Sequence, residues 1–336
     1  MDGAFDQWID IEKSDGIAML SQVAHMYYDL GMLQPEIAEK LFFSRSKVSR
    51  MLQKAQDLGI VEIKVKRYLA RVESYERKLQ SLFGLRQAIV MTSFDKGDIE
   101  DSEDGLTNYA AMYVSSRLKG ESVLGITGSH TVTKVIHKLK KMHDCDLKVV
   151  QTIGATISKD MSGDLVNFIA NTYGGTAYFL NTPVYVDDLY VKETLLRDPA
   201  VMEAMHLMAH CNLLLMGIGK FDVGGDMPNW SGYMTARHRE EMERLGAVGS
   251  LCAQFFDIDG NLLNSDWNQK CITIPWEHMK SADLRVAVAC GRSKVLSILG
   301  ALRGELVDVL FTDNITAAHV IEEQQKLIQA GQQPPA

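Results

Sequence analysis

The sequence predicts an α/β protein with two parts, an N-terminal winged helix-turn-helix and a larger C-terminal α/β domain. Three observations lead to this prediction. Short helical patterns near the N-terminus are followed by one alternating strand, and one of those helices is basic in an otherwise acidic chain. After Gly84, short apolar runs alternate with amphipathic helices, which is the pattern of a parallel sheet covered on both faces.

The composition limits the functions that this chain of 336 residues can serve. Its net charge of −8 excludes a general polyanion binder, so a nucleic acid would have to meet a local basic patch. The five cysteines are odd in number and form no C-x-x-C pair, which favours reduced thiols in the cytoplasm. The start is acidic, unlike a signal peptide, and no apolar run approaches the ~18 residues that span a bilayer. We therefore expect a soluble cytoplasmic protein without membrane contact.

Residues 1–67 are predicted to form the helix-turn-helix domain. The expected elements are an acidic lead-in at 1–15 that ends in an N-cap at Asp15, helices at 17–30, 35–41 and 45–58, and a strand at 60–66. Ser44 suits the N-cap of the third helix, and Gly59 suits its end. The preceding turn carries Phe42 and Phe43 where many such turns carry glycine, so this turn needs a different backbone geometry.

The third helix is basic, with no acidic residue between Ser44 and Lys54. In a DNA major groove the first turn of such a helix reaches base edges, while cations further along meet phosphates. The alternative is an ordinary surface helix with a solvated charge run. The residues predicted to contact DNA are Ser44, Arg45, Ser46, Lys47, Ser49, Arg50 and Lys54.

A linker helix is predicted at 68–84, where apolar residues from Leu69 to Leu82 share one face. It either joins the domains and contributes an oligomer contact or simply packs on the next domain. Residues 85–330 form the predicted α/β domain. Its expected strands are 87–92, 122–127, 147–151, 177–180, 212–216, 253–256, 285–289 and 309–312, and its expected helices are 102–119, 131–141, 162–173, 199–209, 293–302 and one capped by Asp313.

Two strand-to-helix loops are candidate phosphate sites. The first contains Gly128, Ser129, His130 and Thr131, and backbone N–H groups and hydroxyls at a helix start suit an anion. The alternative is that this loop is only a tight connection.

The second loop contains Gly291, Arg292 and Lys294, whose cations can neutralise phosphate unless Lys294 is merely a solvated lysine at a helix start. Gln151 and Gly154 follow another strand and are expected to line the same crevice, because α/β sheets bind ligands at their strand ends.

An ordered series of motifs resembles the SorC family of bacterial sugar-binding transcriptional regulators over nearly the whole chain. The N-terminal matches are Tyr27-Tyr28, Gly31, Gln34, Glu36-Ile37-Ala38, Leu41, Ser44-Arg45, Val48-Ser49-Arg50, Leu52, Ala55 and Gly59-Ile60-Val61. The C-terminal matches are Met216-Gly217-Ile218-Gly219, Gly246-Ala247-Val248-Gly249, Phe255-Phe256-Asp257, Asp259-Gly260, Leu302-Arg303-Gly304, Thr312-Asp313 and Thr316-Ala317.

The resemblance implies a Rossmann-like α/β effector domain similar to sugar-phosphate isomerases and deaminases. It further implies a homotetramer on operator DNA, control of a carbohydrate or polyol operon, and a phosphorylated sugar as effector. Lys294 stands where family members contact the ligand. Ser250 stands where some relatives carry an aspartate that accepts sugar hydroxyls, so the effector is expected to differ from theirs.

The competing interpretation is a sugar-phosphate isomerase or deaminase with an accessory DNA-binding domain. No convincing acid–base carboxylate set accompanies the Gly128 loop, although Lys294 is chemically able to form a Schiff base. His206 and His210 have a spacing compatible with a metal but lack a third ligand, so we expect them to be structural. We therefore predict a non-enzyme without metal or cofactor.

Overall fold

The computed structural model describes residues 11–62, 70–93, 99–156, 164–222, 230 and 232–331. The chain divides into two compact units, Met1–Arg67 and Tyr68–Ala336, which are described separately below.

The N-terminal unit contains three helices, α1 (Ile11–Ala24), α2 (Gln34–Lys40) and α3 (Arg45–Asp57), and α1 runs on into a π-helical turn at His25–Asp29. Their shared core consists of Val23, Met26, Ile37, Ala38, Val48 and Leu52. Helix α1 already includes residues 11–15, so the predicted N-cap at Asp15 and that part of the predicted lead-in are wrong, whereas residues 1–10 of the lead-in lie outside the described residues. An aperiodic first turn can be helical because it continues into later turns that pack in the core. The predicted strand at 60–66 lies mostly outside the described residues.

The turn between α2 and α3 forms without glycine. Phe42 has a left-handed φ of +54°, and the turn has the two hydrogen bonds of a Schellman motif. The Phe43 N–H donates to the Ala38 carbonyl at 2.8 Å, and the Phe42 N–H donates to the Glu39 carbonyl at 3.3 Å. The Phe42 side chain is 96% exposed, so a bulky residue is held in a glycine-like conformation by the backbone alone.

The C-terminal unit is built on strands β1 (Gln87–Met91), β2 (Gly120–Ile126), β3 (Cys145–Gln151), β4 (Thr176–Tyr178), β5 (Leu213–Gly217), β6 (Gly219–Lys220), β7 (Gly249–Leu251), β8 (Gln254–Phe256), β9 (Arg285–Val288) and β10 (Val309–Asp313). Seven of them form one parallel sheet in the order β1-β10-β9-β5-β2-β3-β4. The other three form a small antiparallel sheet, β6-β7-β8. The expected strand at 253–256 therefore does not join the parallel sheet, because Ala253 turns the chain back on itself between β7 and β8.

Helices cover both faces of the parallel sheet, which confirms the predicted fold class. They are α4 (Glu73–Phe83), α5 (Ile99–Arg117), α6 (His130–Ile136), α7 (Asp164–Tyr173), α8 (Leu189–Leu195), α9 (Pro199–Met208), α10 (Ala236–Arg244), α11 (Asp266–Lys270), α12 (Trp276–Ser281), α13 (Val295–Arg303) and α14 (Asn314–Gln329). One core lies under α4, α9, α13 and α14, and the other lies under α5, α6 and α7. Asp313 caps α14 as predicted, because its side chain accepts from the Thr316 N–H at 2.7 Å.

Helix α4, within the predicted linker, is part of the C-terminal unit. Leu79 is fully buried in that unit's core, and the carboxylate of Glu76 accepts from the Val90 N–H of β1 at 3.0 Å. Arg71 donates to the same carboxylate at 2.9 and 2.7 Å, so this buried acid is paired. The helix is therefore fastened to the edge of the sheet.

Candidate functional site

The strand order reverses between β2 and β5. From β2 the chain builds outward through β3 and β4, whereas β5, β9 and β10 extend from its other side. A crevice outside the carboxyl ends of the strands is expected at such a switch point. Three segments that follow strands lie at this edge of the sheet. They are 127–131 after β2, 217–219 after β5 and 289–294 after β9.

Two glycines at the end of β5 give the neighbouring serines room to approach. A Cβ placed on Gly217 would lie 2.6 Å from the Ser129 Oγ, and one placed on Gly219 would collide with the Oγ of Ser250. Ser129 also caps α6, because its Oγ accepts from the Val132 N–H at 3.2 Å. The Gly-Ile-Gly segment that joins β5 to β6 therefore gives room to two hydroxyl groups, one from the loop after β2 and one from β7.

A buried carboxylate organises the loop after β2. Glu103 of α5 accepts from Thr131 Oγ1 at 3.0 Å and from Lys134 Nζ at 2.8 Å. Burial tends to raise the pKa of Glu103, but the hydrogen bonds from Lys134 and Thr131 outweigh it, so the pKa lies below its ordinary value. The carboxyl is thus ionised at neutral pH, and the Thr131 hydroxyl is already committed to it.

Lys294 brings an uncompensated cation to the crevice. Burial lowers its pKa, and the nearby charge of Lys220 lowers it further, against the opposing influence of Cys290 and Glu103. Within the described residues, the Lys294 ammonium has no hydrogen-bond or ion-pair partner. Lys220, at the end of β6, donates to Asp222 at 2.9 Å. A half-buried ammonium beside a second cation is stabilised by an anion, because an anion offsets both desolvation and repulsion.

A network of buried hydroxyl groups connects the crevice to the small sheet. Thr127 Oγ1 lies 2.8 Å from Thr152 Oγ1 and 3.1 Å from Cys252 Sγ. Thr273 Oγ1 donates to the Cys252 carbonyl at 2.6 Å. Cys252 and Ala253 have φ values of +47° and +65°, the two positive angles of a type I′ hairpin turn without glycine. These hydrogen bonds hold that turn against the ends of β2 and β3.

The structure separates some of the predicted effector residues. Gln151 is buried at the end of β3, opposite Ile126 of β2. A Cβ on Gly154 would lie 2.5 Å from the Pro183 carbonyl oxygen, so close backbone packing alone accounts for this glycine. Arg292 lines a different cavity of about 330 Å³, whose other lining residues are Val295, Leu296, His319 and Glu323.

The remaining predicted loop residues lie near the crevice. Gly291 takes a positive φ of +108°, and its N–H donates to Thr316 Oγ1 at 2.7 Å. His130 is exposed, while Gly128 and Ser129 are half-buried. Glu103, Lys134 and Lys220 were missed in the sequence. Their only sequence signal was a charge inside or beside an amphipathic element, which is common on any surface.

Helix α3 presents the predicted DNA-binding face. All seven predicted residues are exposed, whereas Val48, Leu52 and Ala55 on the opposite face are buried. Ser44 is the N-cap as predicted, since its Oγ accepts from the Lys47 N–H at 3.2 Å. The Lys47 ammonium lies 3.8 Å from the centre of the Phe43 ring, which restrains this side chain at the start of the helix.

Other candidate clusters have structural explanations. The Asp257 carboxylate accepts from the backbone N–H groups of Asp259 and Asn261 at 2.9 Å, as expected for a turn residue. The His206 and His210 rings are 4.6 Å apart. Across the described residues there is no group of three histidine, cysteine or acidic side chains suited to a metal ion. None of the helices described has the length and apolar character needed to cross a membrane.

A family model for the domain described as "Putative sugar-binding domain" matches residues 69–322. The match covers most of the chain, so this protein belongs to that family, within the SorC class of transcriptional regulators. One relative is the sorbitol operon regulator of Klebsiella pneumoniae, 25% identical over 315 residues that cover 91% of this chain and 98% of the relative. Another is the deoxyribonucleoside regulator of Bacillus subtilis (strain 168), 26% identical over 305 residues, with 90% and 96% coverage.

Solved structures show the same fold. The full-length sorbitol operon regulator of Klebsiella pneumoniae matches with a TM-score of 0.69 at 22% identity, over 91% of this chain and 98% of that one. A transcriptional regulator from Streptococcus pneumoniae matches with a TM-score of 0.70 at 20% identity, over 75% and 97%. A third relative is the erythritol catabolism regulatory protein of Brucella abortus (strain 2308), 24% identical over 319 residues, with 92% and 98% coverage. These relatives are named as regulators, which supports the regulatory interpretation over the enzyme alternative.

Proposed function

We propose that this DNA-binding regulator controls a carbohydrate or polyol catabolic operon in response to a phosphorylated sugar or polyol. The observation that carries this proposal is the Lys294 ammonium, half-buried at the switch point of the sheet without a partner among the described residues. Such a group destabilises the empty site and is stabilised when an anion binds.

A phosphate group matches the chemistry around Lys294. It carries up to two negative charges and accepts several hydrogen bonds, which suits an ammonium with a second cation, Lys220, nearby. The Ser129 hydroxyl and the backbone of the 128–131 loop supply uncharged donors. Helix α6 has only seven residues, so we assign the main attraction to the cations rather than to the helix dipole.

The sugar end of the ligand is proposed to meet Ser250. Its side chain lies against Gly219, the first residue of β6, and the loop that carries Lys294 follows β9, the neighbour of β5 in the parallel sheet. A serine hydroxyl both donates and accepts, and it carries no charge. We therefore expect the effector to present a hydroxyl or carbonyl here and to need no anionic partner from the protein.

Regulation then follows from linkage. The α3 helices of a homo-oligomer, which we propose to be a tetramer in the cytoplasm, contact successive operator half-sites. If the effector binds one assembly geometry more tightly than another, operator affinity changes by that difference in free energy. The relatives named for sorbitol, erythritol and deoxyribonucleosides indicate which sugars to test first.

Fluorescence anisotropy of DNA from upstream of a candidate operon, titrated with this protein at fixed salt, tests this function. The titration is run without effector and again with sorbitol 6-phosphate, erythritol 4-phosphate or deoxyribose 5-phosphate. Each phosphorylated compound is compared with its unphosphorylated form. We expect one phosphorylated compound to change the operator Kd at least fivefold and its unphosphorylated partner to have no effect. If the protein binds DNA specifically but no phosphorylated compound alters that binding, the effector assignment is refuted. If the protein does not bind this DNA specifically, its proposed role as regulator of that operon is refuted.

A further inference from the structure

A second cavity of about 550 Å³ lies in the C-terminal unit, and none of the residues proposed to bind the phosphosugar lines it. Its lining residues come from α8, α9, β8, α11, α12 and the segment before α12. They are Lys192, Leu196, Met202, Met205, His206, Ala209, Gln254, Asn268, Cys271, Ile272, Thr273, Pro275 and His278. The volume is within the range of pockets that hold small metabolites.

The ionisable side chains of this cavity include nitrogen bases but no carboxylate among the described lining residues. Lys192, His206 and His278 are the ionisable nitrogen bases of the lining, and the described lining contains no acidic side chain. The Lys192 ammonium donates to the Gln269 carbonyl at 2.6 Å, and burial lowers its pKa. An anion inside the cavity would therefore stabilise this ammonium, because the ammonium has lost part of its hydration.

Two polar groups deeper in the cavity retain unused bonding capacity. The His278 Nδ1 is buried and has no hydrogen-bond partner among the described residues. Gln254 is only 5% exposed, and its Nε2 donates to the Ile274 carbonyl at 3.0 Å, so its orientation is fixed. An unpaired buried nitrogen is unusual, because buried polar atoms are normally paired, and it leaves the His278 imidazole without a protein partner at that atom among the described residues.

The rest of the lining is apolar and would enclose a hydrocarbon body. Ile272 is fully buried, Met205 is half-buried, and Met202 is 56% exposed at the rim. Methionine side chains adapt to ligands of different shape because they are unbranched and polarizable. Apolar walls with one ammonium and imidazole groups are complementary to an amphipathic anion.

We propose that this cavity binds a small carboxylate with an apolar body, such as an arylacetate or a medium-chain aliphatic acid. The carboxylate would accept from Lys192 and from the imidazole of His278, and the apolar body would lie against Leu196, Met205 and Ile272. The site does not depend on the phosphosugar proposal, because no residue serves both.

Isothermal titration calorimetry on the full chain at neutral pH tests this site with phenylacetate and hexanoate, each paired with its neutral amide. We expect at least one acid to bind at least tenfold more tightly than its amide, because a charge-assisted hydrogen bond is lost in the amide. Lys192→Met should remove this preference. Met202→Asp should weaken the acid at least tenfold by repulsion, whereas Met112→Asp, at a methionine on α5 that is 58% exposed, should bind normally.

Three outcomes would overturn the proposal. The first is no saturable binding of either acid to the unaltered protein, and the second is equal affinity for acid and amide. The third is a Met202→Asp protein that changes its oligomeric mass by light scattering while Met112→Asp does not, since the cavity would then belong to a subunit contact. Circular dichroism of each variant verifies folding, and Met202→Asp with its control Met112→Asp keeps the test valid if Lys192→Met is poorly folded.

Discussion

Replacing Lys294 with methionine should change ligand affinity and protein stability in opposite directions. Methionine keeps the approximate length of the side chain but removes the ammonium whose pKa burial lowers. In the empty protein this removes a desolvated charge that has no partner among the described residues, so the unliganded variant should be more stable than the wild type. In the liganded protein it would remove the proposed charge-assisted hydrogen bond to phosphate.

The size of both effects follows from this geometry. A hydrogen bond to a charged group contributes about 1.5–3 kcal/mol, so the Kd of the phosphosugar should rise roughly 10- to 150-fold. The gain in stability should be on the order of 1 kcal/mol, or about 2–4 °C in the unfolding midpoint of a domain of this size. Phosphate binding must keep Lys294 protonated, so affinity should fall as the pH rises through the lowered pKa of this lysine.

Calorimetric binding and differential scanning calorimetry measure the two quantities on the same samples. Lys294→Arg keeps the charge and should retain most of the affinity, while Arg292→Met, at the separate cavity, should alter the Kd less than twofold. A Lys294→Met protein that binds phosphosugar normally would refute the role of this ammonium. Loss of affinity together with loss of stability would instead show that Lys294 supports the fold.

Three further outcomes are expected. Arg45→Ala should weaken operator binding by about 1–3 kcal/mol and relax the base preference. If only the salt dependence of the binding affinity changes, Arg45 contacts a phosphate instead. Asp308→Asn should lower the free energy of unfolding, measured in urea near neutral pH, by about 2 kcal/mol. Burial tends to raise the pKa of Asp308, but hydrogen bonds from Arg285 outweigh burial and lower this pKa. The stabilisation by Asp308 is therefore present above pH ~4 and is lost as the pH falls through the lowered pKa. A substitution that lowers the free energy of unfolding equally at all pH values would contradict this. Asp259→Ala should destabilise by about 2–3 kcal/mol, because the buried guanidinium of Arg303 loses its carboxylate partner, and an unchanged midpoint would exclude that pairing as a stabilising contact.

Local patterns predicted much of the fold. The apolar strands of the parallel sheet and the N-caps at Ser44 and Asp313 depend on nearest neighbours in the sequence, and the structure has them close to their expected positions. The β7–β8 hairpin was missed because its turn residues, Cys252 and Ala253, carry no turn signal; their left-handed angles are stabilised by contacts with residues distant in sequence. Helix α8 was missed because none of its residues is fully buried; its Leu195 packs against the core only in part, so the helix lacks a strong apolar pattern.

In the candidate site, too, features set by local sequence were predicted and features set by distant contacts were missed. The loops with Ser129 and Lys294 were predicted because a strand, a glycine and a polar helix start lie together in sequence. Glu103 comes from a helix two elements away from Lys134, and its role depends on the fold that brings them to 2.8 Å. Gly154 and Arg292 fitted the same local pattern, yet one packs against backbone and the other lines a different cavity. A strand-end position predicts where a residue lies but not the direction of its side chain.

The contact between Ser250 and Gly219 has an evolutionary consequence. The Ser250 Oγ occupies the space that a Cβ on residue 219 would need, so the two positions cannot enlarge independently. Among homologous sequences they should covary, with glycine kept at 219 wherever residue 250 extends beyond its Cβ, and alanine admitted at 219 only beside glycine or alanine. Changes in effector preference during divergence would then accumulate at position 250 while its neighbour stays fixed.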